Sequence, residues 1–375
     1  MSDPISFIDL AAQRRRIGPA LDAAVARVMD HCGFILGPEV DRLEADLKAF
    51  CGARHAISCA SGTDALALVL MAKGVRPGQA VLVPAFTFCA TAEVVAWLGA
   101  TPVFVDVEEE SFNLCPASLE QGIATARDRG LQPVAVMPVD LYGRPVDYDR
   151  IEPICAREGL WMLTDAAQSF GASYKGRAVG TIGLATATSF FPSKPLGAYG
   201  DAGAVFTEDD ALAEAMISLR MHGAGRERYD HVRIGMNGRM DAMQAAILVE
   251  KLKVFGEEIA ARRRIAARYD ALLAGTVRTP AIDPDAPSVW AQYTIRIPDG
   301  RRDAFRTALQ QAGVPTAIHY PKPLNRQPAY AHYPSAGNGL PVSERLAEEV
   351  VSLPMHAYLD EAVQDRIVAA IRAAL

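Results

Sequence analysis

The sequence predicts an α/β protein built on a mostly parallel sheet, followed by a smaller α+β unit. Three observations carry this. From about residue 61 to 190, short apolar runs alternate with amphipathic segments, the pattern of strand–helix–strand units. The chain has 375 residues, more than one ordinary domain needs. After Pro280-Ala-Ile-Asp-Pro-Asp-Ala-Pro287 the alternation gives way to isolated strands and helices. Residues 1–250 are therefore expected to form an N-terminal helical arm and a large domain, and 251–375 a linking helix and a small domain.

In chain order, 18–31 and 39–50 read as amphipathic helices separated by Gly33-Phe-Ile-Leu-Gly-Pro38, an arm against the large domain. Strand candidates follow at 80–83, 102–106, 134–138, 159–164 and 185–190, with helices at 90–98, 117–125 and 148–158 between them. Ligand groups gather at the carboxyl ends of such parallel strands, and Asp165 follows one. A helix over 209–221 leads into a polar loop, 222–237, of a length that in compact proteins is usually functional or disordered. Residues 240–273 read as a long helix with a kink near Gly256. Beyond it are expected a strand at 291–297, a helix at 302–312, a strand at 316–319, and helices from Ser343 and Glu361.

Half of the residues are hydrophobic, enough for a large core. The formal charge of −6 supplies no basic field for nucleic acid. Arg14-Arg15-Arg16 reads as a solvated helix start, and Asp106 with Glu108, Glu109 and Glu110 as a solvated acidic loop, since nothing nearby in the chain pairs with them. Six scattered cysteines argue for free thiols in a reducing compartment. No apolar run has the length of a membrane span, and no signal segment opens the chain, so a cytoplasmic enzyme is expected. The seven histidines lack ligand spacing, and no metal site is expected.

The chemistry centres on Lys194, in Thr188-Ser-Phe-Phe-Pro-Ser-Lys-Pro-Leu-Gly197. An apolar strand delivers this amine into a stiff Pro/Gly turn, where burial and a nearby cation lower its pKa and free the lone pair for a Schiff base. Alone, such a lysine is equally a surface residue in a turn. Upstream, Trp161-Met-Leu-Thr-Asp165 ends a buried strand in a carboxylate that needs a cationic partner, and a pyridinium nitrogen suits it; Gln168 follows in the next turn. Further upstream, Ser61-Gly-Thr63 opens an apolar helix and offers N–H groups and hydroxyls to a phosphate. A phosphate cradle, an acid for a ring nitrogen and a reactive lysine together describe a site for pyridoxal 5'-phosphate.

With these pieces, the chain resembles the nucleotide-sugar aminotransferases of the DegT/StrS type, within the aspartate aminotransferase fold (fold type I). The matching runs are Ser61-Gly-Thr63, Pro84-Ala-Phe-Thr-Phe88, Asp165-Ala-Ala-Gln168, Ser189-Phe-Phe-Pro-Ser-Lys194, Gly235-Met-Asn-Gly-Arg-Met240 and His319-Tyr-Pro321. They stand in order along nearly the whole chain. Ala202 departs from the pattern, which usually has glycine there; its methyl would narrow the turn behind the cofactor.

The resemblance implies that Gly62, Thr63 and Ser189 hold the cofactor phosphate, Phe88 covers its ring, Asp165 holds the ring nitrogen, Gln168 orients the ring oxygen and Lys194 forms the Schiff base. It implies a homodimer in which Asn237 touches the phosphate in the neighbouring subunit and Arg239 lies near substrate. Without the resemblance, Asn237 reads as a cap for the helix from Met240. His319 and Tyr320, with Arg239, are assigned to the sugar. L-glutamate is the implied amino donor. The sequence looks most like enzymes that aminate the 3-keto position of a UDP-N-acetylhexosaminuronate for surface polysaccharide or lipopolysaccharide synthesis. The same scaffold serves 3-keto and 4-keto deoxysugars on dTDP or GDP. A sugar dehydratase of this fold would lack Lys194, and a non-catalytic regulator would not need Lys194, Asp165 and Gln168 together.

Overall fold

The computed structural model describes residues 4–227 and 229–375. Residue 228 of the predicted 222–237 loop and the first three residues of the arm lie outside the described residues. The chain opens with α1 (Leu10–His31) and α2 (Pro38–Cys51). α1 starts at Leu10, well before residue 18, because Asp9 caps it: its carboxylate accepts the Ala12 N–H at 2.8 Å. Pro19 is thus inside the helix.

The strands β1 (His55–Cys59), β2 (Gln79–Pro84), β3 (Thr101–Val105), β4 (Gln132–Val136) and β5 (Trp161–Asp165) come next, with α3 (Gly62–Ala72), α4 (Ala90–Trp97), α5 (Pro116–Asp128) and α6 (Tyr148–Glu158) in the connections. A short hairpin, β6 (Ser173–Tyr174) and β7 (Arg177–Ala178), precedes β8 (Ala185–Ser189), β9 (Gly203–Thr207) and α7 (Asp210–Leu219). The main sheet has the order β1-β9-β8-β5-β4-β2-β3. Its body is parallel, whereas β9 runs antiparallel to both β8 and β1. β1 and β9 are the two sheet strands that the alternation did not reveal. Helices cover both faces, and Val81, Leu82, Val83, Val103, Phe104 and Leu163 are sealed at the centre.

α8 (Ala242–Leu273) runs unbroken through Gly256, where the space a side chain would take is open. Its first half packs on α1 and α2. Its second half enters another core, where Tyr269 and Leu273 meet residues of β10 (Tyr293–Arg296), α9 (Arg302–Gln311), β11 (Val350–Leu353) and α11 (Glu361–Ala374). The expected strand at 316–319 is absent: Ala317 makes a single bridge to Ser352, and no further ladder to the β10–β11 pair forms there. α10 (Pro341–Glu349) begins where Asp106 accepts the N–H groups of Val342 and Ser343 at 2.9 and 2.7 Å.

That contact corrects the solvated-loop reading of the acidic run. Asp106 is buried under α10, and Glu109 pairs with Arg278, Arg296 and Arg345. These partners come from the far end of the chain, out of reach of local sequence reading. Among the described residues, no helix is long and apolar enough to cross a membrane.

Candidate active site

At the carboxyl ends of β5 and β8 lies a cavity of about 480 Å³. Gly62, Thr63, Phe88, Asp165, Gln168, Ser189, Lys194, His319 and Tyr320 all line it. Of the residues singled out from the sequence, Asn237 and Arg239 do not face the cavity of their own chain.

One end is made for an anion. Ser61 caps α3, its Oγ accepting the Asp64 N–H at 3.0 Å, while its carbonyl accepts from Ala65. The N–H groups of Gly62 and Thr63 precede any intrahelical acceptor, so the helix start offers them to the cavity. Ser189, the last residue of β8, lies directly against Gly62: a Cβ there would fall 2.5 Å from the Ser189 Cβ. Glycine therefore brings the Ser189 hydroxyl to the helix N-terminus.

Asp165 stands on the floor. Its Oδ2 accepts from Thr91 Oγ1 and its Oδ1 from the Ala167 N–H, both at 3.1 Å. Burial raises its pKa, opposed by the Ala167 N–H, the Lys194 charge and the Thr91 hydroxyl. Beneath it, fully enclosed, Asp140 accepts from Ser169 Oγ, Tyr148 OH and the Val146 N–H at 2.7 to 2.9 Å, and burial pushes its pKa up to about 7. A cationic ring nitrogen above Asp165 would restore the partner its burial calls for.

The walls are held from outside the cavity. Gln168 Oε1 accepts the Tyr142 N–H at 2.6 Å, and its Nε2 donates to Tyr320 OH at 3.2 Å. Tyr142 has positive φ (60°) and donates its hydroxyl to the His319 carbonyl, tying the 140s to the 319–320 segment. Phe88 is 55% exposed, and its ring lies 6.2 Å from that of Tyr320. An aromatic left open inside a cavity offers a face for another flat ring.

Lys194 sits on the turn between β8 and β9, which is closed by Lys194 N–H to Phe191 C=O (2.8 Å) and Ala198 N–H to Phe190 C=O (2.7 Å). The side chain opens on the cavity but is otherwise surrounded by protein. Burial lowers the pKa of the amine, against the pull of Asp165. Burial, with help from the Lys194 charge, also brings His319 down to about 4, so its imidazole is neutral near pH 7; Nδ1 shares a hydrogen bond with Ser352 Oγ at 2.9 Å. The Ala202 methyl is buried in the cluster of Phe190 and Phe206 and does not line the cavity.

Asn237 is exposed and Arg239 half-buried. Asn237 does not cap α8, because Asp241 occupies that position. Sequence reasoning missed Thr91, Tyr142 and Gln292. Thr91 follows Phe88 at one helical turn, a signal that was readable; Gln292, which lines the cavity with its Oε1 buried and unpartnered among the described residues, carries no local signal. The free N–H pair and hydroxyls at one end, the buried carboxylate, the open aromatic face and the lysine with lowered pKa fit pyridoxal phosphate.

Residues 16–372 match the DegT/DnrJ/EryC1/StrS aminotransferase family. The chain is 50% identical to a UDP-2-acetamido-2-deoxy-3-oxo-D-glucuronate aminotransferase of Pseudomonas aeruginosa, over 98% of this chain and 99% of that protein. It is 40% identical to a dTDP-3-amino-3,4,6-trideoxy-alpha-D-glucose transaminase of Streptomyces venezuelae, over 98% of this chain and 95% of that one. A crystal structure of a DegT DnrJ EryC1 StrS aminotransferase from Brucella abortus superposes with a TM-score of 0.96 at 49% identity, covering 98% and 99% of the two chains. The chain thus belongs to the DegT/DnrJ/EryC1/StrS aminotransferases, enzymes that work with pyridoxal phosphate.

Proposed function

We propose that this aminotransferase moves an amino group from L-glutamate to the 3-keto position of a UDP-N-acetylhexosaminuronate, a step towards surface polysaccharide or lipopolysaccharide sugars. The carrying observation is that one cavity unites Lys194, Asp165 and the N-terminus of α3; the 50% identity to the Pseudomonas aeruginosa enzyme supports the choice of sugar. A dTDP- or GDP-linked keto deoxysugar is the second reading, favoured by the Streptomyces venezuelae relative.

In this reading the N–H groups of Gly62 and Thr63 and the hydroxyls of Thr63 and Ser189 hold the cofactor phosphate. Phe88 stacks on the ring and Gln168 orients its oxygen. Bound pyridoxal phosphate supplies an electron sink for the substrate carbon from which a proton is removed. Asp165 keeps the proton on the ring nitrogen, which maintains that sink. Lys194 would hold the cofactor through its amine and would take and return the proton at the substrate carbon; its lowered pKa keeps a larger share of the amine unprotonated for this work. Neutral His319 and Tyr320 meet the sugar. Asn237 and Arg239 act across a homodimer, the latter able to take a C6 carboxylate in a bidentate pair. Residues 1–250 would carry the cofactor and 251–375 close over the substrate, in the cytoplasm.

The test is a visible spectrum of the purified protein before and after L-glutamate. A cofactor band that bleaches with glutamate and returns with a UDP-3-keto hexuronate, and not with dTDP-keto sugars, supports the reading. Return only with a dTDP sugar would favour the second, and a band unmoved by any amino donor would overturn both.

A further inference from the structure

Behind the turn that carries Lys194, α8 presents two side chains seven residues apart, and so on one face of the helix. Gln244 Oε1 accepts the Tyr199 N–H at 2.9 Å. Lys251 Nζ donates to the Gly197 carbonyl at 2.5 Å and lies 4.1 Å from the centre of the Tyr199 ring. The turn between them has no slack: a Cβ on Gly197 would fall 2.5 Å from the Pro192 carbonyl oxygen, and one on Gly200 would fall 2.8 Å from Gln244 Nε2. Lys251 is only 1% exposed. An ammonium buried this deeply costs stability that an apolar side chain of the same length would not. What it supplies in return is a charge-assisted hydrogen bond, stronger than one from a neutral donor, to a carbonyl three residues from Lys194.

We propose that Lys251 is a positioning residue: its ammonium anchors the Gly197 carbonyl and so fixes where the Lys194 amine enters the cavity. The functional part rests on the assignment of Lys194 as the cofactor lysine. The groups that face this ammonium are Glu258 from its own helix and Tyr199 from the turn, and Tyr199 in turn feels Arg14 and Asp22 from α1. Burial lowers the Lys251 pKa to about 8, opposed by Glu258. Above that pH the anchor loses its charge, and its bond to the Gly197 carbonyl weakens to that of a neutral amine.

The experiment compares the full-length wild type with Lys251→Met and Lys251→Arg. In cofactor-free protein near pH 7, hydrogen exchange over residues 190–200 should rise about tenfold in Lys251→Met and stay near wild type in Lys251→Arg, as expected when one anchoring bond is lost. With cofactor, the single-turnover rate of the glutamate half-reaction should fall about tenfold in Lys251→Met. In wild type it should decline above about pH 8, a decline that Lys251→Arg, whose side chain stays charged, removes. Unchanged exchange and rate in Lys251→Met, or the same alkaline decline in Lys251→Arg, would overturn the proposal. If Lys251→Met does not fold, wild-type exchange at pH 7 and 9, corrected for its intrinsic pH dependence, decides: a rise confined to 190–200 upholds the anchor, and no rise removes it. Failure of the Lys194 assignment shows separately, as a cofactor band that survives Lys194→Ala.

Discussion

Two aspartates, Asp165 on the cavity floor and Asp140 beneath it, behave differently because of what surrounds them. Asp140, with its pKa near 7 in the fold against 3.8 in an unfolded chain, binds the extra proton only when folded. Its contribution to stability is complete below the unfolded value and is lost as the pH rises through about 7. Asp140→Asn keeps an acceptor for Tyr148 and Val146 and a donor for Ser169, so it should remove that slope. Thermal melts at about pH 5 and pH 8 should show wild type losing stability relative to the variant at the higher pH. For Asp165→Asn the expected change is in rate: the neutral amide cannot hold the ring nitrogen protonated, and the glutamate half-reaction should slow by about 10²–10³, the usual cost of removing one preorganised electrostatic group. Lys194 and Asp165 were legible in the sequence because each ends an apolar run, where an ionisable group is conspicuous. Asp140 was not, since nothing local tells whether three donors will converge on it.

At the level of elements, the site depends on how closely β8 meets the start of α3. Gly62→Ala places a methyl against Ser189 and should weaken cofactor binding at least tenfold, with a stability loss of about 1–3 kcal/mol from the overpacking; a cofactor titration and a melt read both. Ser61→Ala removes the α3 cap and should cost about 1 kcal/mol, measurable in the cofactor-free protein by denaturant unfolding. The parallel strands and their helices were readable because burial on both faces leaves unbroken apolar runs. β9 runs against the body of that sheet and β1, beyond it, runs with the body again; each begins or ends in the turns that drew attention for their chemistry. The expected strand at 316–319 has the right composition, but its backbone pairs at Ala317 alone; pairing, not composition, makes a strand.

For the whole molecule, the pairs that lock α10 and β10 to the acidic run, Asp106 with Ser343 and Glu109 with Arg296, join residues far apart in the chain and could not be read from it. Under the proposed function, Asn237 and Arg239 would pose the same problem between subunits. If they complete a neighbour's site, mixing Lys194→Ala with Arg239→Ala after subunit exchange should restore about a quarter of wild-type activity, the share of intact sites that random pairing of two defective chains creates in C2 dimers. Activity that stays at the level of the separate variants would instead put Arg239 in the same site as its own chain's Lys194.

Gly203 pairs with Cys59 on one side and with Ser189 on the other, and any side chain on it would strike the Ser61 carbonyl. The start of α3, the proposed phosphate cradle, and the lysine turn therefore hang from one backbone contact and cannot drift apart independently. The sheet acts as a gauge of ligand length. A cofactor analogue with one more methylene between ring and phosphate should bind about 10- to 200-fold more weakly, the worth of one misplaced methylene, although every polar group it needs is still present; competition against pyridoxal phosphate would measure this.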